Sequence, residues 1–209
     1  MPPAMAFAIN FYKLRGAEIN YHKLSISIVI IALTVLVTSV QFLFPELIIV
    51  LERNKDALLS GEIWRLITPL FIQPQGLWQC LFNGIFFIAF LPVAEHLYGR
   101  RVLVIYFGSG LAGQIVNYIW NRGGGGSSTA LYGVIGSLFV YILLHRKAFP
   151  QAYFFLSIGG FLGAIILCFF KDGHAPALLV GGGLSLALQG HRLDLRKRTG
   201  NMNAEKTSS

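Results

Sequence analysis

Two polar residues stand at the start of apolar segments, where a lipid-embedded chain rarely carries them. Ser128 begins one segment within the stretch 126–133 (GSSTALYG), and His174 begins another. A serine hydroxyl beside an imidazole can act as a nucleophile with its general base. Polar and ionisable side chains are costly in membrane segments, and they mark functional sites there. We therefore take Ser128 and His174 as candidate catalytic residues.

The composition indicates what surrounds these two residues. The 209 residues are 55% hydrophobic and only 12% charged, and the mean hydropathy is +0.62. A soluble domain carries about 25% charged residues, so most of this surface must face a lipid bilayer. The sequence therefore predicts an all-α, polytopic membrane protein. Cys80 and Cys168 lie inside apolar segments, which favours packing roles over a disulfide or a metal pair.

Six apolar segments are candidate transmembrane helices, and each is followed by polar or charged residues. They cover residues 24–44, 77–97, 102–120, 129–144, 152–170 and 175–188. The first segment exceeds the ~7–15 apolar residues of a signal peptide, so we expect it to be retained as a membrane span. The predicted organisation is a cytoplasmic N-terminal segment (1–23), a six-helix membrane domain (24–190) and a basic cytoplasmic tail (191–209).

The distribution of basic residues predicts the orientation of these segments. An even number of spans puts both termini on one side, and 12 of the 17 Lys and Arg residues then share that side. Because cytoplasmic loops are enriched in Lys and Arg, we expect both termini in the cytoplasm and the chain in a plasma (inner) membrane. The basic residues flank separate spans and form no single stripe, so no nucleic-acid partner is expected. The twelve are Lys13, Arg15, Lys23, Arg100, Arg101, Arg146, Lys147, Arg192, Arg196, Lys197, Arg198 and Lys206.

This topology places the candidate catalytic residues in one outer layer of the membrane. The second, fourth and sixth segments all enter from the outer side, and they carry Gln79 with Asn83, Ser128 with Tyr132, and His174 near their starts. Each of the two pairs has i,i+4 spacing and so shares a helix face. The sixth segment spans only about 21 Å of a hydrocarbon core of about 30 Å, so we expect its start to be submerged.

Two further stretches bear on the position of these residues. The long connection 45–76 lies on the outer side and contains two stretches that look amphipathic, 47–51 and 63–67, so we expect short helices in the membrane interface. Gly181, Gly182, Gly183 and Ser185 are small residues on the sixth segment, which we expect to let it approach the fourth segment closely.

Other residues follow in a recognisable order along the chain. They are Trp64-Arg65 in the outer connection, Asn83, Glu95 with Gly99, Ser128 with Tyr132 and Gly133, and His174 with Gly181 seven residues later. Together these elements, spread over residues 61–188, resemble the rhomboid intramembrane serine proteases.

The resemblance implies a reaction and its site residues. Ser128 would attack the scissile carbonyl of a transmembrane protein substrate and His174 would take its proton, with no third acidic residue. The Ser128 backbone N–H and the Asn83 amide would stabilise the oxyanion. Tyr132 would stack on the imidazole, and Gly126 would support the nucleophile.

The same resemblance assigns roles outside this layer. Trp64 and Arg65 would brace the outer connection, and the fifth span (152–170), which contains Gly159, Gly160 and Gly163, would be the substrate gate. No cofactor and no metal are implied.

The chain departs from the family pattern at two positions. Gln79 stands four residues before Asn83, where the family usually has histidine, and Thr129 follows the nucleophile in place of glycine. A glutamine amide can still donate a hydrogen bond, so we expect Gln79 to leave the oxyanion site altered or weaker but present.

Other interpretations stay open for the individual residues. Ser128 could be an ordinary helix N-cap, although Ser127 is available for that role. Arg65 could contact lipid headgroups, and Glu95 could pair with the arginines at 100 and 101. The alternative for the whole chain is a catalytically weak or inactive rhomboid-fold protein that binds transmembrane segments. The sequence specifies neither a substrate nor an oligomeric state.

Overall fold

A computed structural model describes residues 25–189 of the protein. Within these residues the fold is all-α, and the extended backbone contributes one isolated antiparallel bridge, between Arg53 and Gly124. The principal helices are α1 (Ser25–Leu43), α2 (Leu47–Leu51), α3 (Lys55–Leu59), α4 (Leu77–Tyr98), α5 (Val102–Ile119), α6 (Ser128–Leu144), α7 (Gln151–Phe169) and α8 (174–189).

Helices occupy all six apolar segments, with ends within two residues of the predicted ones. Three helical stretches are long and apolar enough to cross a membrane, namely Ser25–Leu43, Leu77–Ile119 and Gln151–Phe169. The second contains both α4 and α5, which are joined at Gly99 (φ 58°). α6 is a shorter apolar helix. The prediction of an all-helical fold is confirmed for the described residues, while the count of six spans stays a prediction.

The predicted N-terminal segment (1–23) and basic tail (191–209) lie outside the described residues. The assignment of both termini to the cytoplasm therefore stays a prediction.

Helix α6 forms the centre of the bundle, and α8 packs closely against it. A Cβ at Gly181 would collide with the Gly133 carbonyl, and one at Gly136 would collide with the Leu178 carbonyl. Tyr98 of α4 links the two helices, because its hydroxyl contacts the Ser137 carbonyl at 2.9 Å and the Ser185 hydroxyl at 2.8 Å.

The expectation for the remaining small residues of α8 was wrong in part. Gly182 faces the Phe161 ring of α7, and Gly183 has no atom near its Cβ position. Of the three glycines, Gly181 makes the closest approach to α6, while Gly182 also lies near the Val140 side chain of that helix.

The outer connection forms the expected short helices and is held together by a buried arginine. Arg65 is 5% exposed, and its guanidinium contacts the Glu62 carboxylate at 2.6 Å and the Ile49 and Glu52 carbonyls at 2.9 and 2.7 Å. The lipid-headgroup interpretation of Arg65 is therefore wrong. Trp64 is 44% exposed and donates its indole N–H to the Val50 carbonyl at 3.2 Å.

Glu95 is a buried carboxylate that caps a helix. Its two oxygens accept the backbone N–H groups of Ile26 and Ser27 at 3.0 and 2.6 Å, at the start of α1. A negative charge at this position also complements the helix dipole. The alternative interpretation of Glu95, a pair with Arg100 or Arg101, is not what the structure contains, since its ordered partners are on α1.

Candidate active site

The side chains of Ser128 and His174 meet at one end of the helix bundle. Ser128 is the first residue of α6, His174 begins α8, and the Ser128 Oγ lies 2.9 Å from the His174 Nε2. Gly133, Gly136 and Gly181 let the two helices pack closely, which brings their first residues within contact distance. This contact joins residues 46 positions apart in the chain.

The backbone ahead of Ser128 adopts a conformation that favours glycine. Gly126 has φ 154°, and a Cβ there would lie 2.5 Å from the Gln79 amide nitrogen. Its N–H donates to the Pro69 carbonyl at 2.9 Å, while its own carbonyl accepts the Thr129 N–H at 3.2 Å. Gly126 therefore sets the direction in which the chain enters α6.

Ser127 occupies the N-cap position of α6, but its hydroxyl makes no capping hydrogen bond. It accepts instead the Gln73 amide at 2.6 Å and the Asn83 amide at 3.1 Å. The N-cap interpretation of Ser128 is wrong, because Ser128 is already inside the helix and its hydroxyl faces His174.

Tyr132 lies against the candidate base, one turn after Ser128. Its ring centroid is 4.7 Å from that of His174, with an angle of 42° between the rings. The expected ring contact is present, but it is tilted instead of parallel. This contact restricts rotation of the imidazole.

An acidic residue that the sequence analysis left out of the site lies on the other side of the imidazole. Asp172 Oδ1 is 2.8 Å from the His174 Nδ1 and also accepts the His174 backbone N–H at 2.9 Å. The resemblance implied no third acidic residue, whereas the structure places this carboxylate in contact with the imidazole. The hydrogen bond from the His174 side chain is the main reason that the pKa of Asp172 lies below its usual value. The Asp-x-His spacing within a turn was the available signal.

The Asn83 amide is not directed at Ser128. Its Nδ2 donates to the Gln73 Oε1 at 2.8 Å and to the Ser127 Oγ at 3.1 Å, which uses both of its hydrogens. Gln73 is buried and also exchanges two hydrogen bonds of 2.8 Å with Gln41 of α1. Gln73 was not among the candidate residues, although its hydrogen bonds join the outer connection to α1, to α4 and to Ser127, the residue before Ser128.

Gln79 lies close to the stretch that precedes Ser128. Its Oε1 accepts the Gln75 backbone N–H at 3.0 Å, and its Nε2 donates to the Gly125 carbonyl at 3.4 Å. The Gln79 amide therefore faces the backbone ahead of Ser128 and makes one long hydrogen bond to it. Thr129, the other departure from the family pattern, is buried with its methyl group against Gly113 of α5.

Arg53 is a second residue that the sequence analysis did not assign to the site. Its guanidinium donates to the Gln114 Oε1 at 2.7 Å, the Gly123 carbonyl at 3.0 Å and the Arg122 carbonyl at 3.3 Å. Its backbone N–H donates to the Gly124 carbonyl at 2.7 Å. Arg53 thus ties the glycine run before Ser128 to α5, and desolvation by burial lowers the pKa of its guanidinium.

A cavity of about 850 Å³ contains the contact between Ser128 and His174. Its polar end is lined by Gln79, Asn83 and Asn117 in addition to the two candidate catalytic residues. Apolar side chains of α4 and small residues of α7 form the two facing walls, among them Trp78, Phe82, Phe86, Gly160, Gly163 and Ala164. An apolar groove that ends in convergent polar groups fits a ligand with an apolar body and a polar reacting group.

Trp64 and Arg65 do not line this cavity, so they contact the site only through the outer connection. Among the described residues, no group of three or more His, Cys, Asp or Glu side chains could hold a metal ion.

Comparisons with known proteins agree on one family. A family model described as "Rhomboid domain" matches residues 60–191, more than half of the chain. The chain is 31% identical over 117 residues to a Bacillus subtilis protein named "Putative rhomboid protease YdcA", a match that covers 54% of this chain and 58% of that protein.

Two other curated relatives carry similar names. The rhomboid protease GluP of Bacillus subtilis is 30% identical over 99 residues, which is 46% of this chain and 19% of GluP. The rhomboid protease GlpG of Haemophilus influenzae is 29% identical over 131 residues, which is 58% of this chain and 68% of GlpG. The chain therefore spans less than two thirds of the length of YdcA and of GluP.

Proposed function

Because the chain belongs to the rhomboid family, we propose that it is an intramembrane serine protease that hydrolyses peptide bonds in or near transmembrane segments. The observation that carries this proposal is the 2.9 Å contact between the Ser128 hydroxyl and the His174 imidazole on the wall of a cavity of about 850 Å³. A serine with its base in hydrogen-bond contact and room for a peptide beside it are the minimum requirements of this chemistry.

In the proposed reaction, the Ser128 Oγ attacks the scissile carbonyl carbon while its proton passes to the His174 Nε2. The tetrahedral intermediate then breaks its C–N bond, and the Nε2 proton goes to the leaving amine. A water molecule attacks the acyl-enzyme ester, gives its proton to Nε2, and Ser128 recovers that proton when the acid product leaves. His174 thus serves as base and acid once in each half of the reaction.

The proposed oxyanion donors lie at the same end of the cavity. The first N–H groups of an α-helix have no intrahelical acceptor, and Ser128 is the first residue of α6. Asn83 can contribute if a bound oxyanion takes one of the hydrogens now given to Gln73 and Ser127. Gln79 is a supporting donor beside Gly126. In soluble serine proteases such a donor contributes about 3–4 kcal/mol.

The proposed substrates are transmembrane proteins, which reach the cavity laterally from the bilayer between α4 and α7. α7 carries Gly159 and Gly163, which have no atom near their Cβ positions, so this helix can tilt with little steric hindrance on those faces. The proposed arrangement keeps six spans in a plasma (inner) membrane, with both termini in the cytoplasm and the cavity opening on the outer side.

Labelling with a fluorophosphonate probe and cleavage of a model transmembrane substrate test the proposal in detergent. Wild type should be labelled and should cleave, whereas Ser128→Ala should lose both properties and His174→Ala should lose cleavage, each by 10³-fold or more. Ser137→Ala and His96→Ala are matched controls, since the Ser137 hydroxyl donates to the Val134 carbonyl of its own helix, and His96 is exposed at the other end of α4.

Both controls should retain wild-type activity. A folded wild type that neither reacts with the probe nor cleaves would instead support the non-catalytic function, the binding of transmembrane segments.

A further inference from the structure

The imidazole of His174 has an ordered partner on each of its two nitrogens. Nε2 contacts the Ser128 Oγ at 2.9 Å, and Nδ1 contacts the Asp172 Oδ1 at 2.8 Å. A carboxylate oxygen can only accept a hydrogen bond, so the proton of the neutral ring must be on Nδ1. Nε2 is then unprotonated and able to take the proton of Ser128.

The local backbone holds Asp172 in this position. α7 ends at Phe169, and Lys171 takes a positive φ of 54°, which turns the chain toward α8. The same Oδ1 accepts the His174 backbone N–H at 2.9 Å, so the carboxylate is tied to the residue whose side chain it contacts. Gly173 between them packs against Asn117, where a Cβ would collide with the amide.

The electrostatic surroundings keep the carboxyl group charged. The pKa of Asp172 is lowered first by the hydrogen bond from the His174 side chain, against a smaller opposing effect of burial, and the His174 and Arg122 charges lower it further. Tyr132 of α6 and Cys168 in the last turn of α7 also face this carboxylate. Of these facing groups only Arg122 carries a permanent charge, and it favours the ionised acid.

We propose that Asp172 is a positioning residue that holds His174 in its Nδ1–H form and orients the ring toward Ser128, so that the site works as a Ser128–His174–Asp172 triad. The proposal rests on the proposed protease function. The proton moves only between the Ser128 Oγ and the His174 Nε2, and Asp172 stays ionised beside the imidazolium that forms. The resemblance to rhomboid proteases implied two residues, and this chain supplies a third from the turn before α8.

Asp172 also caps the start of α8, so the test must separate that structural role from the contact with the ring. Asp172→Asn keeps an oxygen for the His174 backbone N–H but loses the charge. Asp172→Ser keeps a capping oxygen on a side chain too short to reach Nδ1 as the carboxylate does. Asp172→Glu restores the charge on a longer side chain, and Asp56→Asn removes an exposed acid from α3 as the matched control.

Steady-state cleavage across pH 5–9 and thermal unfolding should be measured for all four variants in one detergent. We expect Asp172→Asn and Asp172→Ser to lower kcat about 10- to 100-fold with KM within about 2-fold, because the missing charge acts on the imidazolium in the transition state. In Asp172→Asn the acid limb of the kcat profile should move to lower pH. Asp172→Glu should recover part of kcat, and Asp56→Asn should match wild type.

The outcomes are distinct for the two proposals. If wild type cleaves but Asp172→Asn shows the same kcat and pH profile, the triad is overturned and the protease function stands. If activity falls only in proportion to a lower melting temperature, with an unchanged pH profile, Asp172 is a helix cap and the triad is likewise overturned. If wild type neither cleaves nor reacts with a fluorophosphonate, both proposals fail together.

Discussion

Helices α6 and α7 are neighbours of similar length with opposite environments. Twelve of the 17 residues of α6 are buried, from Ser128 to Ile142, whereas only Ser157 and Ala164 are buried among the 19 residues of α7. Both helices are strongly apolar, so hydropathy does not distinguish them. The difference is that α6 faces protein on nearly all sides, while most of α7 faces outward.

The glycines of the two helices show the same contrast. Gly133 and Gly136 of α6 leave no room for a Cβ against Ser109 and the Leu178 carbonyl, whereas Gly159 and Gly163 of α7 face open space. Close-packed backbones on one side hold Ser128 in place, and in the proposed protease the more loosely packed α7 gives the substrate access to it. In α7 only Gly160 packs closely, against the Phe139 ring of α6, so the glycines of α6 serve close approach while Gly159 and Gly163 leave space.

The largest effect is expected from filling the contact between α6 and α8. Gly136→Ala puts a methyl group onto the Leu178 carbonyl, so it should destabilise the protein by about 1–3 kcal/mol despite the better helix propensity of alanine. At about 2–4 °C per kcal/mol, the melting temperature should fall by several degrees. Activity should fall with it, because Ser128 and His174 depend on this packing.

Gly163→Ala on α7 is the matched control for that measurement, since nothing lies within 4 Å of its Cβ position. Its melting temperature should equal that of wild type or exceed it. Equal losses in the two variants would show that the contrast between α6 and α7 has no energetic consequence.

An intermediate effect is expected at Arg53, which holds the glycine run on the α6 side. Arg53→Ala removes its hydrogen bonds to the Gln114 side chain and to the Gly123 carbonyl. Hydrogen bonds to charged groups contribute about 1.5–3 kcal/mol, so a loss of about 10-fold or more in kcat/KM is expected. Lys55→Ala, an exposed cation two residues away, should leave turnover unchanged. Similar turnover in both variants would contradict the role of Arg53.

The smallest effect is expected at Gln79, whose Nε2 makes only a 3.4 Å hydrogen bond to Gly125. Gln79→Ala should lower turnover about 3-fold, and Asn83→Ala should lower it more because Gln73 and Ser127 also lose their partner. Gln79→His should retain activity, since an imidazole can donate from the same position. Turnover of one substrate by the three variants in one detergent ranks them, and a Gln79→Ala rate equal to wild type would make Gln79 a packing residue.

Much of the fold follows from local sequence properties. The lengths of the apolar segments predicted the helices to within two residues at each end, because a run of apolar residues between polar flanks is a local property of the chain. Counting the segments predicted that Ser128, His174, Gln79 and Asn83 lie near the same side of the membrane. Their assembly at one end of the bundle therefore needed no knowledge of packing.

The sequence by itself thus determined the helices, the family and the placement of Ser128, His174, Gln79 and Asn83 at one cavity, but not that of Arg53. Only the tertiary structure decided which hydrogen bonds those residues make. Asn83 donates to Gln73 and Ser127, 10 and 44 positions away, and Arg53 reaches Gln114 across 61 positions. Such partners depend on how the helices pack and on how the 171–173 turn directs Asp172 toward His174. Hydropathy specifies where a segment lies, whereas a hydrogen bond requires atomic distances that only the folded chain defines.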